Sequence, residues 1–285
     1  MLLTKQLENI LNTINVGIIE LNNRNEIINV SQKMADILNS SKSKLLQKTP
    51  DSIFSNKNKI NVEAFLSNNG CDDSIIIHES KNSENPLILK ITKTIKDDST
   101  LLLIDDMTND FRKNSELTKL AFYDSLTKIP NKNLFNDRAK VVMSHAARNK
   151  EKFAIMYVDI NNFKTINDTM GHLNGDNVLV ELASRLSNAM RESDTVARIG
   201  GDEFVILAQD IKSKADVTML LERIIKSNAK AFTINGSNMN INISIGASIY
   251  PDHGENIKDL MNNADKAMYT CKNQKHDFAL HEEGS

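Results

Sequence analysis

Between two apolar, β-rich runs, Thr195-Val196-Ala197-Arg198-Ile199 and Glu203-Phe204-Val205-Ile206-Leu207-Ala208-Gln209, the chain has only Gly200-Gly201-Asp202. So short a connection admits an antiparallel hairpin and no parallel pairing, because parallel strands need a crossover of roughly a dozen residues. The two glycines remove the β-carbons that would keep a ligand off the backbone, and Asp202 and Glu203 place negative charge at that opening. Asp159 ends the nearly continuous apolar run 152–160, which reads as a strand buried on both faces and hence central in its sheet. If the hairpin lies beside that strand, Asp159 and Asp202 converge at the rim of the sheet. Two convergent carboxylates and a backbone carbonyl make a hard oxygen site suited to Mg²⁺, which keeps water and substrate phosphates as its other ligands. Taken singly, each feature also has a plain reading: a two-glycine turn with solvated acids, and a strand ending in a surface acid.

The region around these residues alternates helix and strand. Helices are expected over 131–150 behind Asn131, 175–190, 214–229 and about 256–274, with strands near 231–234 and 239–249. Together they describe an α/β domain with a central sheet flanked by helices. Upstream, 16–22 and 26–30 read as a hairpin, and Ser31 as the N-cap of the helix that follows. The runs 74–80, 86–96 and 100–106 complete a five-stranded antiparallel sheet with short helices between its second and third strands. Residues 109–123 form a connecting helix whose seam mixes Asn114 with Leu117 and Ala121, a poor coiled coil by itself. Leu3, Leu7, Ile10 and Ile14 fall on one stripe of a helix over 2–14, able to pack on its own domain or pair with another copy.

A length of 285 residues suits two domains at about 150 residues each. Lysine and arginine total 35 against 37 acidic residues, a net charge of −2, so nothing electrostatic argues for a nucleic-acid partner. Cys71 and Cys271 lie too far apart in sequence to suggest a disulfide framework or a thiolate zinc site, and they fit a reducing, cytoplasmic setting. No apolar run nears the ~20 residues of a membrane span. The opening segment is broken by Lys5, Glu8 and Asn9, so neither a membrane anchor nor a signal peptide is expected.

The upstream order of elements resembles a PAS sensor domain, with Asp106-Met107-Thr108 similar to the Asp-x-Thr signature where such domains pass into an output helix. Residues 124–276 resemble the GGDEF family, the diguanylate cyclases. Asp124-Ser125-Leu126-Thr127-Lys128-Ile129-Pro130-Asn131 looks like the family's opening DxLTxLPN signature, with Lys132 where arginine is usual. Asp159-Ile160-Asn161-Asn162-Phe163-Lys164, Ile166-Asn167-Asp168, Gly171-His172 and Gly175-Asp176 follow its next block, and Gly200-Gly201-Asp202-Glu203-Phe204 is intact. The resemblances imply a sensor domain over 1–108, a signalling helix over 109–123 and a cyclase domain over 124–285 with a sheet like the palm of nucleotide polymerases.

The implied reaction condenses two GTP into cyclic dimeric GMP, releasing pyrophosphate, in a homodimer. By position, Asp159, the Ile160 carbonyl, Asp202 and Glu203 would hold Mg²⁺, or Mn²⁺ in its stead, with Asp202 and Glu203 catalytic and Glu203 a candidate to activate the 3′-hydroxyl. Asn167 and Asp176 match the guanine-binding positions. A carboxylate can accept from both N1–H and the 2-amino group of guanine, a donor pair adenine lacks. The plain alternative is an Asn in a turn and an Asp capping a helix at 177–190. The amides of Asn162, Phe163 and Lys164 would face the phosphates, Gly200 and Gly201 would leave the backbone open to GTP, and Lys272 matches a phosphate-binding lysine.

Two positions depart from the family. Asn161 replaces an aspartate not assigned to metal. His276 stands where a second phosphate-binding arginine is usual, which removes a permanent charge unless Lys275 substitutes. Arg191-Glu192-Ser193-Asp194 matches the family's RxxD inhibitory site in composition and register, so Arg191 and Asp194 would bind the product; otherwise it is a charged helix end. His78, in an isoleucine-rich strand, is either a haem ligand or a satisfied sheet histidine, and the sensor's ligand is unnamed by the sequence. The rival to a regulated cyclase is a catalytically silent receptor for cyclic dimeric GMP, and a third reading makes the chain a PAS dimerisation platform.

Overall fold

The computed structural model describes residues 16–54, 73–78, 86–96, 99–234, 236–274 and 276–282. The expected helix over 2–14, Cys71, Lys275 and the side chain of His78 lie outside the described residues. The chain divides into two compact units, Met1–Leu117 and Thr118–Ser285.

In the first unit, β1 (Val16–Leu21), β2 (Ile27–Val30), β3 (Asp73–His78), β4 (Leu87–Lys96) and β5 (Ser99–Asp106) form one antiparallel sheet in the order β2-β1-β5-β4-β3. Period-two alternation sends Ile19, Leu21, Leu89, Ile91, Leu102 and Ile104 to a single buried face. Met34 and Ala35 of the short helix α1 (Gln32–Ile37) pack on that face, and Ser31 caps the helix by accepting from the Met34 amide at 3.2 Å. The helical turns α2 (Lys42–Leu45) and α3 (Pro50–Ile53) follow. At the end of β5 the Thr108 hydroxyl donates to Asp106, and the same oxygen accepts from the Ile88 amide at 2.9 Å. This clasp fixes the start of α4 (Thr108–Phe122) to the sheet. Phe111, Leu117 and Leu120 of α4 are exposed.

The second unit is built on the sheet β12-β11-β6-β8-β7, from β6 (Lys152–Ile160), β7 (Thr195–Gly200), β8 (Glu203–Ile211), β11 (Ile243–Tyr250) and β12 (Phe278–Leu280). β6 is central, as its unbroken apolar run leads one to expect, and its side chains alternate between two cores. Ala154, Met156, Val158 and Ile160 pack with α7 (His172–Ala189) and α8 (Lys214–Asn228). Phe153, Ile155 and Tyr157 pack on the other face with α5 (Lys132–Asn149) and α9 (Ile257–Gln274). Asn131 caps α5 by accepting from the Asn133 and Leu134 amides. A reciprocal capping box between Ser213 and Asp216 starts α8.

Three expectations need correction. α7 begins at His172 rather than 175, so Asp176 lies inside the helix and caps nothing. An eight-residue helix, α6 (Phe163–Met170), precedes it within the stretch read only as a motif. The run expected as one strand over 239–249 is divided: β10 (Ser237–Met239) pairs with β9 (Phe232–Ile234) as a separate ribbon, and only 243–250 joins the main sheet. Among the described residues no helix is long and apolar enough to cross a membrane.

Close packing of α9 on β11 depends on Gly246. A β-carbon there would fall 2.0 Å from the Ala264 carbonyl oxygen and 2.1 Å from the Met268 amide nitrogen, and backbone cannot give way as a side-chain tip can. We expect Gly246→Ala to destabilise the second unit by about 3 kcal/mol, near the upper end for overpacking. On a unit of this size that lowers Tm by roughly 6–12 °C. A circular-dichroism melt in which the alanine variant matches the wild type would contradict this account of the α9 contact.

Candidate active site

Antiparallel pairing of β6 with β8 places Asp159 directly opposite Glu203. Gly200 pairs with Glu203 across the hairpin, which leaves Gly201 and Asp202 as the turn. Asp159, Asp202 and Glu203 are thus gathered at one end of the central strands by register alone. Gly201 has φ +29°, a conformation that disfavours a side chain, whereas Gly200 has no such requirement. A β-carbon on Gly200 would meet only the Glu203 carboxylate, at 3.6 Å. Packing therefore does not demand glycine at position 200. The space beside it is open, as a site admitting a ligand to the backbone requires.

The charge at this end of the sheet is unbalanced. Lys272 on α9 reaches over and pairs with Asp159. Burial pushes the Asp202 carboxyl above its ordinary range and the Asp159 charge adds to the rise, while its own backbone amide, Lys272 and Arg198 offset only part. Asp265 on α9 is raised for the same reasons, burial first and then Asp159. Tyr157, two residues before Asp159, is held far above its usual range by burial, by the charges of Glu203, Asp265 and Asp159, and by a hydrogen bond to Glu203. Lys272 pairs with Asp159, and Asp202 and Asp265 are both raised in part by the Asp159 charge, a repulsion that a bound cation would relieve. Among the described residues no three His, Cys, Asp or Glu side chains are grouped so as to hold an ion by themselves. The donor set fits Mg²⁺, whose shell is completed by carbonyl, water and phosphate oxygens, rather than a metal caged by protein alone.

Asn161 is turned to structural use, since its side-chain oxygen accepts from the Ser244 hydroxyl at 2.8 Å. Asn162 follows in the left-handed conformation, φ 58°, and starts α6 without a side-chain cap. The first amides of that helix, those of Phe163 and Lys164 among them, are left without intrahelical partners, an arrangement that suits phosphate oxygens. Asn167 lies against Gly175, where a β-carbon would fall 1.8 Å from its side-chain oxygen. That contact explains the glycine, which lets α6 and α7 approach closely at Asn167; Asp176, the next residue of α7, is half-buried, as is Asn167. His276 is exposed and lines a cavity of about 720 Å³ with Asp265, Tyr269, Gln274 and Leu280, beside the strand β12.

Arg191 and Asp194 form a tight loop after α7. The Asp194 carboxylate accepts from the Arg191 amide at 3.0 Å and from the Gln209 amide of β8 at 3.0 Å, so it ties the loop to the sheet while keeping a lone pair on each oxygen. Arg191 is exposed and borders a cavity of about 670 Å³ lined also by Asp194, Lys212, Met219, Leu220 and Arg223. Sequence reading singled out neither Lys212 nor Arg223. Both belong to elements that only the tertiary fold brings beside the loop. Arg198, equally unmarked, donates through Nε and Nη2 to the Gly201 carbonyl at 2.9 and 2.7 Å, and through Nη1 to Asp124 at 3.0 Å. Burial pushes Asp124 up, but hydrogen bonds from Thr127 and from Arg198 outweigh it and hold the carboxyl below the usual range.

Residues 121–277 match the family model described as the diguanylate cyclase GGDEF domain. The bifunctional diguanylate cyclase/cyclic di-GMP phosphodiesterase MucR of Pseudomonas aeruginosa is 41% identical over 163 residues, 57% of this chain and 24% of MucR. The diguanylate cyclase TpbB of the same species is 39% identical over 57% of this chain and 38% of its own length. The chain therefore spans about a quarter to two fifths of the length of these curated relatives. The structure of an N-terminally truncated TpbB from Pseudomonas aeruginosa comprising only the GGDEF domain superposes with a TM-score of 0.55 at 38% identity, covering 56% of this chain and 94% of that one. The GGDEF domain of DgcB from Caulobacter crescentus, solved in complex with c-di-GMP, gives a TM-score of 0.53 at 25% identity over 57% of this chain and 97% of DgcB's.

Proposed function

The chain belongs to the GGDEF domain family of diguanylate cyclases, and from that premise we propose that residues 121–277 condense two GTP into cyclic dimeric GMP and two pyrophosphates. The observation that carries this is the register of β6 and β8, which sets Asp159 against Glu203 with Asp202 in the open Gly201-Asp202 turn. Asp159, the Ile160 carbonyl, Asp202 and Glu203 are the residues that would hold divalent ions. Such ions supply charge neutralisation on the entering and leaving oxygens of the transferring phosphoryl group. The chain's own groups do the rest. The first amides of α6 and Lys272 bind the triphosphate. Asn167 and Asp176 read the guanine edge, and Glu203 takes the proton of the attacking 3′-hydroxyl.

Each domain presents one GTP, so two domains must face each other across a two-fold axis to make the symmetric product. In the first unit, the five-stranded sheet and the clasp between Asp106 and Thr108 support a PAS-like sensor that feeds α4. GTP and a free, buried Cys271 suit a cytoplasmic setting.

Incubation with GTP and Mg²⁺, followed by mass-spectrometric identification of the product, tests the reading. Cyclic dimeric GMP is expected, with specific activity rising as protein concentration rises. Binding of added cyclic dimeric GMP without turnover would favour the silent receptor instead. Constant specific activity through a dilution series that demonstrably yields monomers would contradict the dimeric mechanism.

A further inference from the structure

Arg198 is fastened at both its backbone and its side chain. Its amide donates to the Pro130 carbonyl at 3.0 Å, and it bridges Asn131 as a one-residue parallel pair. Its guanidinium, with only 14% of the side chain exposed, spans from the Gly201 carbonyl to Asp124. The anchor at the far end is rigid. Asp124 also accepts from the Thr127 amide at 2.8 Å and the Thr127 hydroxyl at 2.7 Å, and the Asp124 amide donates to Ile129 at 2.8 Å. The same segment holds the end of α4, since Asn131 donates to the Phe122 and Ala121 carbonyls at 2.9 Å each. A surface hairpin turn needs none of this, because its outer carbonyl can be solvated by water. Here a fork of two N–H groups grips the carbonyl of the residue immediately before Asp202, and the grip is braced against a separate part of the domain.

We propose that Arg198 is a positioning residue, which fixes the Gly201 carbonyl against Asp124 and so sets the direction in which Asp202 leaves the turn. The inference rests on the cyclase reading for its kinetic consequence and stands apart from it in its structural one. Rotation of the Gly201-Asp202 peptide swings the carboxylate away from Asp159, and misplacement by about 1 Å costs on the order of 100-fold in rate. Lysine cannot replace the fork, since an ammonium is a point donor that lacks the planar two-pronged grip.

The test combines hydrogen–deuterium exchange over 200–203 in the nucleotide-free protein with steady-state kinetics, on Arg198→Ala, Arg198→Lys and Asp124→Asn. Exchange in the turn should rise about tenfold in the alanine and lysine variants, and less in Asp124→Asn, which keeps the oxygen that accepts from both Thr127 and Arg198 but loses its charge. The kcat should fall about 10- to 100-fold in Arg198→Ala and Arg198→Lys, with the KM for GTP within about threefold. Turn exchange and kcat at wild-type values in a folded Arg198 variant would overturn the proposal, as would a lower Tm with no change in either. Should Arg198→Ala fail to fold, Arg198→Lys carries the test, and wild-type exchange and kcat there overturn the two-pronged grip on the Gly201 carbonyl. If the wild type makes no product, the cyclase reading fails, yet the exchange arm still decides whether Arg198 holds the turn.

Discussion

Alanine at Asp202 or at Asp159 is expected to lower cyclisation of GTP by at least about 100- to 1000-fold, the usual effect of removing one preorganised electrostatic group from a reacting centre. The fold should survive both changes. Asp202 lies in a turn held by Arg198 and Gly201, and Asp159 gives up only its pairing with Lys272 at the rim of the sheet. Stability should even favour Asp202→Ala. A carboxyl whose folded pKa is raised is more costly to ionise in the fold than in the unfolded chain, so above that pKa its charge destabilises the protein. Deleting it relieves that cost at neutral pH, and Tm should be unchanged or higher while activity is lost, the pattern of a site that trades stability for function. Product quantified by chromatography, beside a melting curve, separates the two effects. Wild-type synthesis in both variants would remove the carboxylates from the mechanism.

Much of this site is legible in sequence because it is built from local rules. The apolar run ending at Asp159 identifies a doubly covered strand, and the two-glycine hairpin can only be antiparallel, so a shared rim for Asp159 and Asp202 follows once the strands are neighbours. Which strands are neighbours is a tertiary fact, and sequence stated it only as a condition. What escaped shares that origin. α6 is eight residues long and starts at an uncapped Asn162, too short for periodicity to reveal. β12 is a three-residue edge strand whose existence depends on β11 alone. The alternating run 239–249 hides the change of partner between β10 and β11 because both pieces favour strand. Arg198 and Arg223 each look like a solvated cation until Gly201 and the Arg191 loop are placed beside them. Gly175 was visible as a motif glycine, but only the contact with Asn167 says what the absent side chain makes room for.

Arg191→Ala should yield an enzyme that still makes cyclic dimeric GMP and accumulates more of it before slowing. The loop from Arg191 to Asp194 leads into β7 and so into the hairpin that carries Asp202, yet it opens on a cavity of its own, away from the paired carboxylates. Product held there would act through linkage between distinct sites, and inhibition would be non-competitive with GTP. If product binds there, the guanidinium groups of Arg191 and Arg223 would meet phosphate or the guanine acceptor edge, and the remaining lone pairs of Asp194 would take guanine N–H donors. Asp194 is a poor choice for the test, because its carboxylate also ties the loop to Gln209. Arg191 uses its backbone for that tie, and its side chain is exposed. Losing one charge-assisted grip worth about 1.5–3 kcal/mol weakens product binding roughly 10- to 150-fold. Arg223→Ala should act in the same direction, and neither change touches the carboxylates at the end of β6. Progress curves with added cyclic dimeric GMP decide the matter: equal inhibition of wild type, Arg191→Ala and Arg223→Ala would return the loop to a solvated helix end.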